Sequence, residues 1–355
     1  MKTTTLALRG IILGFTAKIT LVWLFLTAAA VSSAQPSWMT DQFPDDYKVP
    51  RTEWGHPDLQ GLFTNEINPG AIPMERPEEL GNKAYYTDAD IRAIEANAAQ
   101  TQPEPEPSSA AVSAPPVGED VGGYNAEIWG IYGIAEDVLS TRQTSLIIDP
   151  PNGRAPIRES AWQIRQYKLE HVADDYVNLT VWDRCLTRGV PGTMLPGGYN
   201  NALRIIQTPD HIAISHEMIH ETRIIPLNKS DHIDEKIRLW MGDSVAHWED
   251  DTLVIETVNF NDKTEIANSS AGGRLRGLPA GKDQHLVERF TRLSEDTIIW
   301  EGRITSPESF TQPITIALPL TLDPSYDMYE YACHEGNHAM SNILRGGRAR
   351  DAATP

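Results

Sequence analysis

The second half of the chain alternates short β-branched segments with tight polar turns, and this pattern constrains the fold more than any other feature of the sequence. Two hairpins are the clearest: Glu249-Asp250-Asp251 joins one pair of segments and Ser294-Glu295-Asp296 joins another. Runs bounded by turn residues are typical of antiparallel strands, and a meander of such strands closes into a barrel or sandwich because open edges are a liability. We predict a mainly β fold, in which an antiparallel meander forms a barrel-like or lipocalin-like core. The predicted strands cover residues 203–206, 211–214, 245–248, 252–258, 285–293, 297–305, 313–322 and 327–333.

The first half has more mixed signals. Residues 35–73 are rich in Pro, Asp and Trp, which predicts an extended N-terminal arm that ends in a short strand over 59–64. Thr87 is placed as an N-cap and predicts a helix that ends near Ala99. The other predicted elements are a strand over 142–149, a helix over 160–169, a short helix over 234–240 and a solvated Pro/Glu/Ser/Ala loop over 101–118.

The chain begins with the layout of a secretory signal peptide. Three basic residues precede or flank an apolar run over 19–30, and small residues follow over 31–34. The run is shorter than the roughly 20 residues of a spanning helix; an uncleaved anchor that starts at Gly10 is the alternative. We predict a mature protein that starts near Gln35, is periplasmic or secreted, and has no stable membrane span. The predicted divisions are a signal peptide (1–34), an arm with a short helix and a Pro-rich loop (35–123), and a mainly β domain (124–355).

The mature chain is strongly acidic. Without its first 34 residues it has 27 Lys and Arg against 49 Asp and Glu, a net charge of −22. Such a surface repels phosphate backbones and anionic lipids, so we expect no nucleic-acid partner. The chain also has no G-x-S-x-G, P-loop, G-x-G-x-x-G or C-x-x-C-H motif, which argues against a typical α/β-hydrolase, nucleotide enzyme, Rossmann dehydrogenase or c-type cytochrome.

Residues 216–220 match the zinc-protease string H-E-x-x-H, but their context predicts a strand. The motif requires a helix with both histidines on one face, whereas the preceding segments are β-branched and meet at Thr208-Pro209-Asp210. On a strand, His216 and His220 share one face and Glu217 points to the other. This arrangement disfavours a metalloprotease. The alternative is that residues 216–220 have only a structural role, as part of a half-buried strand with one polar face.

The chain has two cysteines, Cys185 and Cys333. In an exported protein they predict a single long-range disulfide, with two buried thiols as the alternative. A cysteine nucleophile beside His334 is disfavoured, because neighbouring residues on a strand point to opposite faces.

Several segments together cover most of the mature chain and carry a resemblance to other proteins. They are GHPDLQG at 55–61, RQTSLIIDPP at 142–151, DRC at 183–185, PG at 191–192, YNN at 199–201, EMIH at 217–220, the segment 248–260, and YEYACHEGN at 329–337. In these segments the chain resembles an uncharacterised family of exported bacterial proteins. The resemblance brings no activity with it. It implies that the position of His216 is often aromatic, which leaves Glu217 and His220 as the pair of interest.

Eight of the ten histidines lie in the strand-rich half. One mouth of a barrel can bring distant segments together there, and imidazole and carboxylate suit both proton transfer and binding of a divalent metal. The alternative for residues 334–338 is a polar turn at Gly336. The predicted catalytic residues are Glu217, His220, His334 and Glu335. The predicted metal ligands are His220, His334 and His338.

A group of aromatic and amide residues predicts a ligand site. Residues 199–201 lie between a Gly/Pro-rich loop and a strand, which suits groups that grip a ligand; a capped turn is the alternative. Tryptophans and tyrosines line most small-molecule pockets, although packing in the core is their other use. The predicted ligand-binding residues are Trp182, Arg184, Tyr199, Asn200, Asn201 and Tyr331.

These observations predict an exported protein that binds a small apolar or aromatic molecule and performs acid/base or metal-assisted chemistry on it, as hydrolysis, elimination or isomerisation. A non-catalytic periplasmic ligand-binding protein with the same barrel is the first alternative. A structural or partner-binding protein that uses the arm and the Pro-rich loop is the second. The sequence leaves the substrate and the oligomeric state open.

Overall fold

The computed structural model describes residues 43, 47–65, 72–101, 141–197 and 199–353, and this part of the chain is mainly β. Nine of its strands pair antiparallel into a nearly closed barrel. The strands are β1 (Gly61–Thr64), β2 (Ile147–Asp149), β3 (Ala202–Gln207), β4 (His211–His216), β5 (Thr222–Pro226), β6 (Asp243–Glu249), β7 (Thr252–Val258), β8 (His285–Arg292), β9 (Thr297–Thr305) and β10 (Ile314–Leu322). Their order around the barrel is β5-β4-β3-β1-β10-β9-β8-β7-β6, and β2 pairs with β10 beside it. The prediction of a barrel-like antiparallel core is confirmed.

The barrel closes between β5 and β6. Leu227 and Ala246 form a parallel bridge, and Arg223 Nη2 donates a hydrogen bond to the Ser244 hydroxyl at 3.2 Å. These contacts set the start of β5 beside the start of β6. The barrel end at which β5 and β6 begin is also the end at which the chain passes from β4 to β5, and we call it the β4–β5 end.

Alternate side chains of each strand fill the barrel interior. On β8, Leu286, Glu288, Phe290 and Arg292 are buried between half-exposed neighbours, and Trp300 on β9 is fully buried. This period of two is the pattern that the sequence predicted, because successive side chains of a strand point to opposite faces. The three predicted hairpins, β3–β4, β6–β7 and β8–β9, are all present.

The N-terminal arm supplies one strand of the barrel. β1 lies between β3 and β10 and pairs antiparallel with both, with Phe63 opposite Leu203 and Leu322. Phe63 is fully buried in the core. The two ends of the described chain are therefore joined in one hydrogen-bonded sheet.

Three α-helices of the described residues lie outside the barrel: α1 (Asp88–Thr101), α2 (Glu159–Glu170) and α3 (Ala339–Ala353). The first two were predicted, and Thr87 caps α1 as expected: its backbone N donates to Asp90 Oδ2 at 2.7 Å, and Asp90 N donates back to the Thr87 hydroxyl at 3.4 Å. The sequence pattern did not predict α3, whose Gly347 lies against Ala173 with no room for a Cβ.

Three local predictions were wrong or too long. Residues 327–333 form no strand, because this segment crosses the β4–β5 end and is held there by side chains and a disulfide. Residues 234–240 form no helix, because Leu239 N donates to the Asn259 carbonyl and bridges toward β7 instead. The strand predicted over 142–149 is limited to β2.

Some predictions fall outside the described residues. They are the signal peptide over 1–34, nearly all of the loop over 101–118 and the boundary between 123 and 124. Within the described ranges, no helix has the length and apolar character needed to cross a bilayer.

Candidate functional site

Three segments that are distant in sequence meet at the β4–β5 end. The loop over 181–201 and the segment over 323–338 are joined by a disulfide between Cys185 and Cys333, which are 148 positions apart. The third segment is the turn over 217–221. The predicted disulfide is confirmed, and it fixes the two longer segments to each other beside the turn.

The turn begins where β4 ends, at His216. Ile219 and His220 have positive φ angles of 64° and 44°, so the chain reverses and returns as β5. The prediction of a strand through His220 was therefore wrong beyond His216, although the absence of an H-E-x-x-H helix is confirmed. The two histidines separate: His216 is 2% exposed and continues the inward row of Ile212 and Ile214, whereas His220 is exposed.

Glu217 ties the three segments together. Its carboxylate accepts hydrogen bonds from the Asn200 amide at 2.9 Å, from the Tyr326 hydroxyl at 2.9 and 3.0 Å, and from the backbone N of Tyr329 at 3.2 Å. The residue is fully buried. A carboxylate with this many donors is a fixed acceptor, so the geometry gives Glu217 a positioning role at this end of the barrel.

A buried arginine lies beneath the loop over 181–201. Arg188 is 2% exposed, and its Nε donates to Asn268 Oδ1 at 3.2 Å while Asn268 Nδ2 donates to the Arg188 carbonyl at 2.8 Å. Its Nη2 is buried and has no hydrogen-bond partner among the described residues. Burial lowers the Arg188 pKa to about 10, and the nearby hydroxyls of Tyr331 and Tyr199 act in the opposite direction. Close packing orients the guanidinium, since a Cβ at Gly197 would lie 3.1 Å from Arg188 Nη1.

Three half-exposed aromatic rings surround this arginine. The Arg188 guanidinium carbon lies 5.2 Å from the ring centroid of Trp182. The centroids of Trp182 and Tyr199 are 6.5 Å apart, and those of Tyr199 and Tyr331 are 6.3 Å apart in a stacked arrangement. We call these three rings the aromatic cluster. Trp182 and Tyr199 come from the loop over 181–201 and Tyr331 comes from the segment over 323–338, and each ring retains some exposure to solvent.

His216 lies inside the barrel, at the end of β4. Burial, together with the positive charges of Arg223 and Arg188, lowers its pKa to about 3. The imidazole is therefore neutral at ordinary pH, and its Nε2 is buried without a hydrogen bond to any residue that the structure describes. A neutral imidazole in this position adds polar atoms without a second uncompensated charge.

A second buried arginine differs from Arg188 in having a carboxylate. Arg223 Nη1 and Nη2 lie 3.1 and 2.5 Å from the two oxygens of Glu288. Trp300 Nε1 also donates to Glu288, at 3.1 Å. A forked pair of this kind compensates both buried charges, although Arg223 Nε has no hydrogen-bond partner among the described residues.

Glu221 connects the turn over 217–221 to the loop over 181–201. It accepts a hydrogen bond from the Thr187 hydroxyl at 2.5 Å, and its carbonyl accepts one from His216 N at 2.9 Å. Burial raises its pKa, and hydrogen bonds from Thr187 and the Arg188 backbone oppose that rise.

The remaining residues predicted for catalysis lie at the surface of the same end. His220 is exposed and its Nδ1 lies 2.9 Å from the Tyr331 carbonyl. His334, Glu335 and His338 are exposed as well. The part of the chain that the structure describes contains no group of three or more His, Cys, Asp or Glu placed to hold a metal. The acid/base and metal roles of these residues stay predictions.

The residues predicted to bind ligand divide into two groups. Trp182, Tyr199 and Tyr331 come together in the aromatic cluster. Asn200 and Asn201 use their side-chain amides for hydrogen bonds within the protein. Asn200 donates to Glu217, and Asn201 exchanges two hydrogen bonds with Gly197 at 2.7 and 2.9 Å. Arg184 lies over the ring of Tyr176, 5.3 Å from its centroid.

The sequence pattern did not predict Arg188 as a site residue. It also favoured Glu217 and His220 over His216. The available signal for Arg188 was its position in the Gly/Pro-rich segment immediately before Gly189-Val190-Pro191-Gly192. Nothing local distinguishes it from Arg184, because its burial depends on contacts with Trp182 and with the distant residue Asn268.

Comparison of the chain with known protein families, with curated proteins and with solved structures found no match.

Proposed function

We propose that this protein binds a small molecule with a flat apolar body at the β4–β5 end of its barrel. The observation that carries the proposal is the aromatic cluster: three half-exposed rings, with neighbouring centroids 6.5 and 6.3 Å apart, lie beside buried polar groups. Small-molecule sites are typically aromatic with a few fixed polar atoms, and they occur at the mouths of β-barrels.

The rigidity of the surrounding segments supports the proposal. The disulfide joins the segments that carry Trp182 and Tyr331, and Glu217 accepts a hydrogen bond from Asn200, the residue next to Tyr199. A site whose groups are held before the ligand arrives loses less conformational entropy on binding. The covalent and hydrogen-bonded ties therefore favour a preformed binding site.

An exported location agrees with this function. The N-terminal sequence has signal-peptide character, and a disulfide persists in oxidising compartments such as the periplasm or the cell exterior. We propose a periplasmic or secreted binding protein that encounters its ligand outside the cytoplasm.

Catalysis on the bound molecule is the further prediction of the sequence. Two titratable groups lie at this end of the barrel: His220, whose Nδ1 lies 2.9 Å from the Tyr331 carbonyl, and Glu221, whose pKa is raised by burial. Either group has chemistry suited to proton transfer. We propose ligand binding as the primary function, with turnover as a property to be measured on the same complex.

The test is native mass spectrometry of the protein purified from its exported fraction without chelators or a histidine tag, followed by fluorescence titration with the small molecule that it retains. We expect a retained organic mass and quenching of tryptophan emission. Trp182→Leu should weaken binding by at least about tenfold, since aromatic contacts of this kind contribute on the order of 1 kcal/mol each beyond the buried area.

Trp248→Leu is the matched control. Trp248 lies near the end of β6 that points away from the β4–β5 end, packed against the core and beside His56. Equal loss of affinity in the two folded variants would contradict a site at the aromatic cluster.

A further inference from the structure

Four arginines are buried in the described part of the chain, and two of them, Arg188 and Arg223, are treated differently by the fold. Arg223 has a forked ion pair with Glu288. Arg188 has a neutral amide, Asn268, on Nε, an indole face beneath it and no ion pair to any described carboxylate. Both side chains are buried to a similar degree, at 5% and 2% exposure. Only one of the two charges is compensated within the described chain.

An uncompensated buried charge is costly, because the low dielectric around it replaces its hydration. Folded proteins keep such groups where a partner arrives from outside, and guanidinium groups are suited to carboxylates and phosphates. The lowered pKa of Arg188 has burial as its main cause. The guanidinium nevertheless stays charged at neutral pH, since its pKa of about 10 lies well above 7.

The groups around Arg188 are those that an acidic ligand requires. Its Nη2 has no hydrogen-bond partner among the described residues, and the nearby Tyr199 and Tyr331 act to raise its pKa. His216 contributes another buried nitrogen that has no hydrogen bond to a described residue. The ring of Trp182 offers a flat face beside the guanidinium.

We propose that the ligand carries a carboxylate, and that Arg188 binds this carboxylate while the aromatic cluster packs against the ligand's flat body. His216 Nε2, a buried nitrogen at the end of β4, provides a second polar contact. This inference rests on the proposed function and specifies its ligand class: a small planar carboxylic acid.

The test uses three pairs of probes that differ in charge and little in shape: benzoate and benzamide, naphthalene-2-carboxylate and naphthalene-2-carboxamide, and indole-3-acetate and indole-3-acetamide. Affinities are measured by calorimetry on the mature protein at pH 7. For at least one pair the acid should bind about tenfold or more tighter than the amide, since a hydrogen bond to a charged group contributes about that much.

Variants of Arg188 separate the charge from the fold. Arg188→Gln should bring the acid-to-amide ratio to about one while amide affinity changes less than about threefold, because only the charged contact is removed. Arg188→Lys keeps a charge in a folded site and should give an intermediate ratio, because lysine lacks the planar fork. Arg303→Gln is the matched control: Arg303 lies on the outside of β9 near Asp149 and should leave the ratio unchanged.

The outcomes distinguish the inference from the function on which it rests. Equal affinity for acid and amide, with both lost in Trp182→Leu, would overturn the carboxylate assignment and leave the binding function intact. An acid preference that persists in Arg188→Gln would also overturn it. Failure of all six probes to bind the wild-type protein would contradict the proposed binding site itself.

Discussion

The Tyr326 hydroxyl donates to both carboxylate oxygens of Glu217, at 2.9 and 3.0 Å. Tyr326 follows β10, and Glu217 begins the turn after β4, so this contact joins two chain segments that are 109 positions apart. With the Asn200 amide and the Tyr329 backbone N on the same carboxylate, it makes Glu217 the residue on which the loops at the β4–β5 end converge.

Tyr326→Phe should destabilise the protein by about 1.5–3 kcal/mol, because a hydrogen bond to a buried charged acceptor is lost and nothing replaces it. Urea unfolding of both proteins measures the change. Tyr329→Phe is the control, since its ring is 65% exposed and only its backbone N contacts Glu217. If the two variants unfold at the same urea concentration, the Tyr326 contact has no special role.

Glu288→Gln should be more costly than Tyr326→Phe, with a loss of about 3–5 kcal/mol, because it leaves the buried Arg223 charge without its counter-ion. The double variant Arg223→Met/Glu288→Leu should recover much of that loss, since it removes both charges together. A thermal melt of the three proteins checks the order. A double variant less stable than the single one would contradict this account of the pair.

Glu265 should make the protein less stable as pH rises from about 4.5 to about 7. Burial raises its pKa from 4.5 to about 7 in the folded state, so the folded protein holds a proton that the unfolded chain releases across that window. Its contribution is fully present below pH 4.5 and is lost as the pH passes through about 7. Glu265→Gln removes this dependence and keeps an oxygen for the hydrogen bond from Val181 N.

The variant should therefore match the wild type near pH 4 and exceed its stability at pH 8 by up to about 3 kcal/mol. Urea unfolding at the two pH values gives the comparison. Glu95→Gln, on the exposed side of α1, serves as the control for charge removal. If the free energies of unfolding of Glu265→Gln and the wild type are equal at both pH values, Glu265 ionises at the same pH in the folded and unfolded states.

Removal of the disulfide should cost about 4–5 kcal/mol, because it closes a loop of 148 positions whose entropy the unfolded chain would regain. It should also weaken ligand binding, since Trp182 and Tyr331 flank the two cysteines in sequence. Melting temperatures with and without reductant test the first effect and titration tests the second. The Cys185→Ala/Cys333→Ala protein should be insensitive to reductant; equal melting of reduced and oxidised wild type would contradict the prediction.

The sequence by itself determined the fold class, the three hairpins, the first two helices and the disulfide. Each depends on local information: the two-residue alternation of β8 and β9, the acidic turns such as Glu249-Asp250-Asp251, and the Thr87 cap. The two cysteines allowed only one intramolecular pairing. These features need no knowledge of distant neighbours.

Only the tertiary structure decided which polar residues form the candidate site. The sequence predicted Glu217 as a catalytic residue near His216 and His220. In the structure the Glu217 carboxylate accepts hydrogen bonds from Asn200, Tyr326 and Tyr329. His216 is buried inside the barrel, whereas His220 is exposed. The sequence pattern could not distinguish Arg188 from Arg184 as a site residue, because the two differ in how the folded protein buries them. Burial and charge compensation arise when segments that are distant in sequence enclose the same atoms, and no local pattern carries that information.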